Sequence, residues 1–259
     1  MLTQKQIEQF NKFGILKLPQ CVGHHIAVEL TDRLWEFLES EQGISRDDHE
    51  TWPLGHRPTG FQKLSREGIF NCMASLSLRA AVDDLLGPGS SQAIKHWGIP
   101  LIVFPSSHNS AWSIPFGKHT WHIDEPPRES CCSGIRAFML IQDVSEKQGP
   151  TLAVSGSSNL IRQGLDLKSA KNHSSRAILN KLTKSEPWIR SLLHEPNPVA
   201  REKLRSLGRS TTGLPLKICK FCGNAGDVFL MDASSVHSKS NNHAELPRMV
   251  VSQAFWKTV

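Results

Sequence analysis

Long apolar runs are missing from this sequence. No stretch approaches the roughly 20 residues that a bilayer-spanning helix needs, so no membrane segment is expected. Cysteine is scarce, with six in 259 residues. That is too few for a disulfide scaffold and fits a reducing compartment. The opening Met1–Gln6 is polar where a secretory leader would carry an apolar core, so a cytoplasmic location is the expectation. There are no internal repeats and no low-complexity tract. Nor is there a nucleic-acid-binding motif, or the interleaving of aromatic and basic residues that single-strand binding uses, despite a net charge of +6.

What is present is ordinary in bulk, 39% hydrophobic and 21% charged, and long enough for a single well-buried domain over 1–259. The charge is unevenly placed. From Leu160 to Lys220 there are 13 Lys and Arg against four Asp and Glu, while the remainder carries a slight acidic excess.

The front of the chain, 1–93, has helical periodicity. Thr3 can cap a helix with Ile7, Phe10 and Phe13 on one face, and Gly14 ends it before a short strand at Ile15–Pro19. A second helix is predicted from His24 to Ser40 and a third from Ser75 to Leu86, with a loop over 41–60 between them. The pattern then changes to short strands near 98–104, 119–124, 135–143, 151–154, 216–221, 227–231 and 249–256. Such spacing predicts a mainly β jelly roll behind an N-terminal helical layer. Residues 160–217 interrupt the strands with one or two short helices and are expected to form a lid, Trp188 and Leu192 giving it one apolar wall.

The chemistry centres on Thr120-Trp-His-Ile-Asp-Glu125. In an extended segment His122 and Asp124 project to the same side. With one distant histidine they form the two-His, one-carboxylate set that leaves three positions open on non-haem Fe(II). His237, closing Gly226-Asp-Val-Phe-Leu-Met-Asp-Ala-Ser-Ser-Val-His237, is the candidate, at the end of what reads as a buried strand. Trp121 faces the other way and reads as core. Cys219-Lys-Phe-Cys222 has no second pair at zinc-site spacing and is read as structural, as are His24-His25 and Cys131-Cys132.

These motifs, with "LIQDVSEKQGPTLAVSGSSNL" between them and Arg248 eleven residues after His237, resemble the phytanoyl-CoA dioxygenase family of Fe(II)/2-oxoglutarate-dependent oxygenases. The likeness covers most of the chain. It implies a double-stranded β-helix, Fe(II) on His122, Asp124 and His237, and O2 and 2-oxoglutarate as cosubstrates. It also implies that Arg248 grips the distal carboxylate of 2-oxoglutarate, in the bidentate way that a guanidinium fork allows. Phe138 aligns with an aromatic position that borders the cosubstrate. Lys239, between Ser238 and Ser240, falls where relatives carry a hydroxyl. The sequence also departs from its relatives at Ser155–Ser158, where many read Pro-Gly-Ser-His.

Hydroxylation of a small molecule is the default reaction so implied, with release of succinate and CO2. The basic stretch suggests an anionic substrate. A halogenase of this fold would need Gly or Ala at position 124, and Asp124 argues against it. A catalytically silent family member that only binds, and a cupin-type metal-binding jelly roll, are the other two readings.

Overall fold

Thr3 opens the first helix as its sequence predicts. In the computed structural model its hydroxyl accepts from the Gln6 backbone N–H, while the Gln6 side chain accepts from the Thr3 N–H, a reciprocal cap on α1 (Gln4–Phe13). Gly14 ends the helix at φ +70°, a left-handed conformation that glycine adopts without penalty. The structure describes every residue except 54–57, 107–112, 118–119, 165–173 and 259. Among the described residues, α2 (His24–Gln42), α3 (Gln62–Arg66) and α4 (Leu76–Leu86) complete the front layer. Of these only α3 was absent from the sequence pattern, being a single turn. Residues 54–57 of the expected loop lie outside the described residues.

The described residues form nine strands: β1 (Ile15–Leu18), β2 (Ile99–Val103), β3 (Gly134–Leu140), β4 (Leu152–Ser155), β5 (Gly208–Arg209), β6 (Pro215–Lys220), β7 (Val228–Asp232), β8 (His237–Ser238) and β9 (Arg248–Trp256). They form two antiparallel sheets, one in the order β1-β7-β3-β9-β2 and the other β5-β6-β4-β8. The expected jelly roll with helices is the fold observed.

Alternation along the strands divides the molecule into four layers. On β3, Ile135, Ala137 and Met139 face outward against Leu30, Leu34 and Leu38 of α2, while Phe138 and Leu140 face inward to Phe221, Phe229 and Val250. On β4, Leu152 and Val154 face out the other side, onto Ile178, Leu182, Ile189 and Leu192. Each fully buried leucine in these seams contributes roughly 1.5–3 kcal/mol. The order is therefore helices, large sheet, small sheet, helices.

The outermost layer comes from the expected insertion. It begins earlier than its sequence suggested, at α5 (Ser157–Gly164), and its described residues carry three further helices, Ser175–Ser185, Pro187–His194 and Pro198–Glu202. β5 and the start of β6 also fall within 160–217. Residues 165–173, within the expected lid, lie outside the described residues.

Two expected strands differ. Around the HxD motif only His122 makes a β-bridge, to His237. The amides of Asp124 and Glu125 both donate to the Ala233 carbonyl, so the chain turns out of any ladder before Pro126. The 118–119 part of that strand lies outside the described residues. The strand leading toward His237 stops at Asp232. Its carboxylate accepts from the Ser234 N–H and its carbonyl from the Ser235 N–H, which makes a turn. The chain thus crosses from the large sheet to the small one, and His237 belongs to β8.

Candidate metal centre

That crossing places His237 where a strand of the small sheet meets the HxD segment. The His122 N–H donates to the His237 carbonyl at 2.9 Å, and the His237 N–H returns to the His122 carbonyl at 2.8 Å. The two rings lie 4.1 Å apart, tilted by 50°. One ligand atom from each of His122, Asp124 and His237 falls within 4.8 Å of the others. The three residues expected to meet do so, although not by the extended HxD strand that the sequence suggested.

His237 is buried, and its Nδ1 lies 2.9 Å from the Ser235 carbonyl. A carbonyl only accepts, so Nδ1 carries the ring proton and Nε2 presents a lone pair. That lone pair is 3.7 Å from Asp124 Oδ1. Burial pushes the His237 pKa down to about 4, against the opposing pull of Asp124 and with the help of His122, so the ring is neutral at physiological pH. Two acceptors facing each other repel unless a cation lies between them. This donor set, a neutral imidazole and a carboxylate oxygen with no proton between them, fits a divalent metal ion.

The other carboxylate oxygen is taken. Arg136 Nε donates to Asp124 Oδ2 at 2.8 Å, and its Nη1 reaches Ser252 Oγ at 3.4 Å. The sequence reading did not single out Arg136. Its position two residues before Phe138 on β3, and hence on the same inward face, was the available signal.

A cavity of about 500 Å3 opens in front of these groups. Its wall includes Arg136, Phe138, Thr151, Lys239 and Arg248 as well as His122, Asp124 and His237. Arg248, the first residue of β9, is buried and gives a 3.0 Å hydrogen bond from Nη1 to Thr151 Oγ1. Phe138 is buried edge-on to Phe221, and Lys239 is exposed.

Several solved structures share this architecture. SnoN, an epimerase solved with Fe3+, alpha ketoglutarate and nogalamycin RO, is 15% identical at a TM-score of 0.57, over 98% of this chain and 83% of its own. SnoK, a non-heme alpha ketoglutarate dependent carbocyclase from nogalamycin biosynthesis, is 15% identical at 0.56, over 99% and 84%. HygX from Streptomyces hygroscopicus, solved with nickel and 2-oxoglutarate bound, is 15% identical at 0.57, over 100% and 88%. The chain shares the jelly-roll fold of these three enzymes. No family model matches the sequence, and no curated protein does.

The described part of the basic stretch does not face the cavity. No described residue of 160–217 lines it. Leu192 is buried and Trp188 half-buried in the seam beneath the outer helices, and the Trp188 indole fills the space over Gly208. The wall expected of these two residues is thus made elsewhere, by β2 and by residues 238–242. Arg205, Lys217 and Lys220 instead line a second cavity, of about 810 Å3, between β1, at the edge of the large sheet, and β6 of the small one. Lys17 joins them there and pairs with Asp227 at 2.8 Å, while Lys220 pairs with Glu146 at 2.7 Å. Cys219 and Cys222 line this second cavity as free thiols. Burial raises both, Cys222 to about 11, which leaves them protonated and poor as ligands or nucleophiles. Among the described residues, no helix is long and apolar enough to cross a membrane.

Proposed function

We propose that this protein is an Fe(II)- and 2-oxoglutarate-dependent oxygenase, a single domain over 1–259, that hydroxylates a small molecule. The observation that carries the reading is the lone pair of His237 facing Asp124 Oδ1 beside His122, in a cavity that also holds a buried arginine. His122, Asp124 and His237 would hold the iron. Arg248 would grip the distal carboxylate of 2-oxoglutarate, with Phe138 against its chain and Lys239 at the cavity mouth.

When bound, the iron and 2-oxoglutarate supply oxidation of a C–H bond at the expense of O2, with succinate and CO2 released. The chain's own residues do the rest. Ser235 fixes the His237 tautomer, so the imidazole enters as a neutral ligand. Arg136 holds one oxygen of Asp124 and leaves the other turned toward His237. Leu101 and Val103 of β2 and Phe138 give the cavity an apolar wall, which would help to exclude water near the reacting centre. Arg136 and Lys239 give the cavity positive charge, which favours an anionic substrate.

Anaerobic addition of Fe(II) and 2-oxoglutarate tests the reading. A weak visible absorption band from the bidentate keto-acid complex supports it. Absence of the band in the wild-type protein overturns it. A band without succinate release under any substrate would mark a binding protein of the same fold.

A further inference from the structure

Arg201 is the buried charge for which the site as described has no use. It stands on the short helix Pro198–Glu202, whose start is capped by the Asn197 side chain. It is 6% exposed, and among the described residues Glu195 is the carboxylate that acts on it electrostatically, without a salt bridge. A buried guanidinium left to itself costs several kcal/mol. This one is satisfied by main-chain carbonyls from two separate segments. Nη1 donates to the Leu192 and Glu195 carbonyls, both at 3.1 Å, where the helix Pro187–His194 ends and its carbonyls lack helical partners. Nη2 donates to the Ile114 carbonyl at 2.9 Å and the Pro115 carbonyl at 2.6 Å. The guanidinium also lies 5.1 Å from the Phe116 ring.

Pro115 is where the two halves of the contact meet. Its carbonyl accepts a second hydrogen bond, at 2.9 Å, from the indole N–H of Trp121. Trp121 is 1% exposed, packed in the seam that also contains Ile189 and Leu192. The next residue is His122, whose backbone pairs with His237. Contact is therefore continuous from the end of a helix in the outer layer, through Arg201, Pro115 and Trp121, to a residue of the candidate centre.

We propose that Arg201 is a positioning residue for the metal centre, fixing the segment that carries His122 and Asp124. The inference rests on the reading of those residues as ligands, and it gives the described part of the outer helical layer a task other than covering the cavity. A methionine at 201 would retain most of the packing and none of the hydrogen bonds. A lysine would retain the charge but reach fewer carbonyls, since it lacks the planar fork.

The test uses the full chain without metal, then with Co(II). Amide hydrogen exchange of Arg201→Met is expected to be about tenfold or more faster at His122, Asp124 and Glu125, and changed less than about twofold in β3 and β9. Arg201→Lys should show the same pattern at smaller amplitude. Co(II) affinity should fall about tenfold or more in Arg201→Met. Leu34→Ala, which empties core volume in the front helical layer on the far side of the large sheet, should lower the melting temperature yet leave Co(II) affinity within about twofold.

Exchange that rises evenly across both sheets, or that stays at wild-type rates over 122–125, overturns the proposal. Unchanged Co(II) affinity in a variant with accelerated exchange overturns it too. Should Arg201→Met fail to fold, Arg201→Lys is judged by the same criteria. If the wild-type protein itself binds no Co(II), the metal reading falls, and the exchange pattern alone decides whether Arg201 holds the segment.

Discussion

His237 and Arg248 stand on strands of the sandwich, whereas His122 and Asp124 stand on a segment tied to it by one bridge and a few loop hydrogen bonds. The first pair inherits its geometry from ladders whose outer faces are packed cores. The second depends on side chains arriving from elsewhere: Arg136 on the carboxylate, and Trp121 on the neighbouring chain. A strand position tolerates remote changes because many contacts over-determine it. A loop position does not, so the HxD half should be where distant substitutions register.

The largest effect expected comes from the loop half. Asp124→Gly should abolish hydroxylation, because it removes a ligand and not core volume. Far-UV circular dichroism should be unchanged, and retained activity would reassign the carboxylate.

Next comes Arg248→Lys on the strand half. Replacing a bidentate charge-assisted contact by a poorer one costs on the order of 1.5–3 kcal/mol, roughly 10- to 150-fold. The loss should appear in the apparent KM for 2-oxoglutarate, with the KM of the substrate little moved. An effect confined to the substrate would move Arg248 to substrate recognition.

Gly14 probes the sandwich beneath His237. A Cβ built there would lie 2.5 Å from Ser158 Oγ and 2.9 Å from Ser235 Oγ, at φ +70°. Gly14→Ala should cost about 1–3 kcal/mol of stability in chemical denaturation. If Ser235 shifts to relieve the clash, metal affinity falls with it. If stability falls alone, the strand half is as over-determined as its ladders suggest.

The smallest effect concerns the flank between β1 and β6. Burial would raise the Asp227 carboxyl, but the Lys17 ammonium and the Gln20 and Asn224 amides outweigh that and hold it below its usual value. Its folded pKa is thus depressed. The stabilisation is present above the unfolded carboxylate pKa, near 4, and is lost as pH falls through the folded value. Wild-type melting temperature should drop more steeply than that of Asp227→Asn as pH falls from about 5 to about 3. Parallel curves would show the pair to be neutral.

The same division explains what could be read from the sequence. The caps of α1, the glycine after it, the helical stripes and the strand alternation are local signals, and the elements they predict are present. The pairing of His122 and Asp124 with His237 was legible as residue types in order. What was not legible was how they meet. Asp232 ends a strand by turning its own carboxylate onto the Ser234 N–H, and Ala233 captures the amides of Asp124 and Glu125. The first is a side-chain turn two residues long inside an apolar run that reads as strand, and the second joins segments more than a hundred residues apart. The destination of the 160–217 helices was hidden for a similar reason. Periodicity shows that Ile178, Leu182, Ile189 and Leu192 share a face, but not that the face meets Leu152 and Val154. Arg201, surrounded by other cations in the sequence, carried no mark of its burial.

The order of the large sheet also bears on how the chain is made. β9 lies between β3 and β2, with Phe138 opposite Ser252 and Leu101 opposite Val250. Until residues 248–256 have left the ribosome, β2 and β3 each present an open edge, and their partners are more than a hundred residues away. Pairings so distant close slowly. The nascent chain therefore carries His122 and Asp124 through the synthesis of more than a hundred further residues before the large sheet can close, and a protein stalled before β9 would expose two unpaired edges as templates for aggregation.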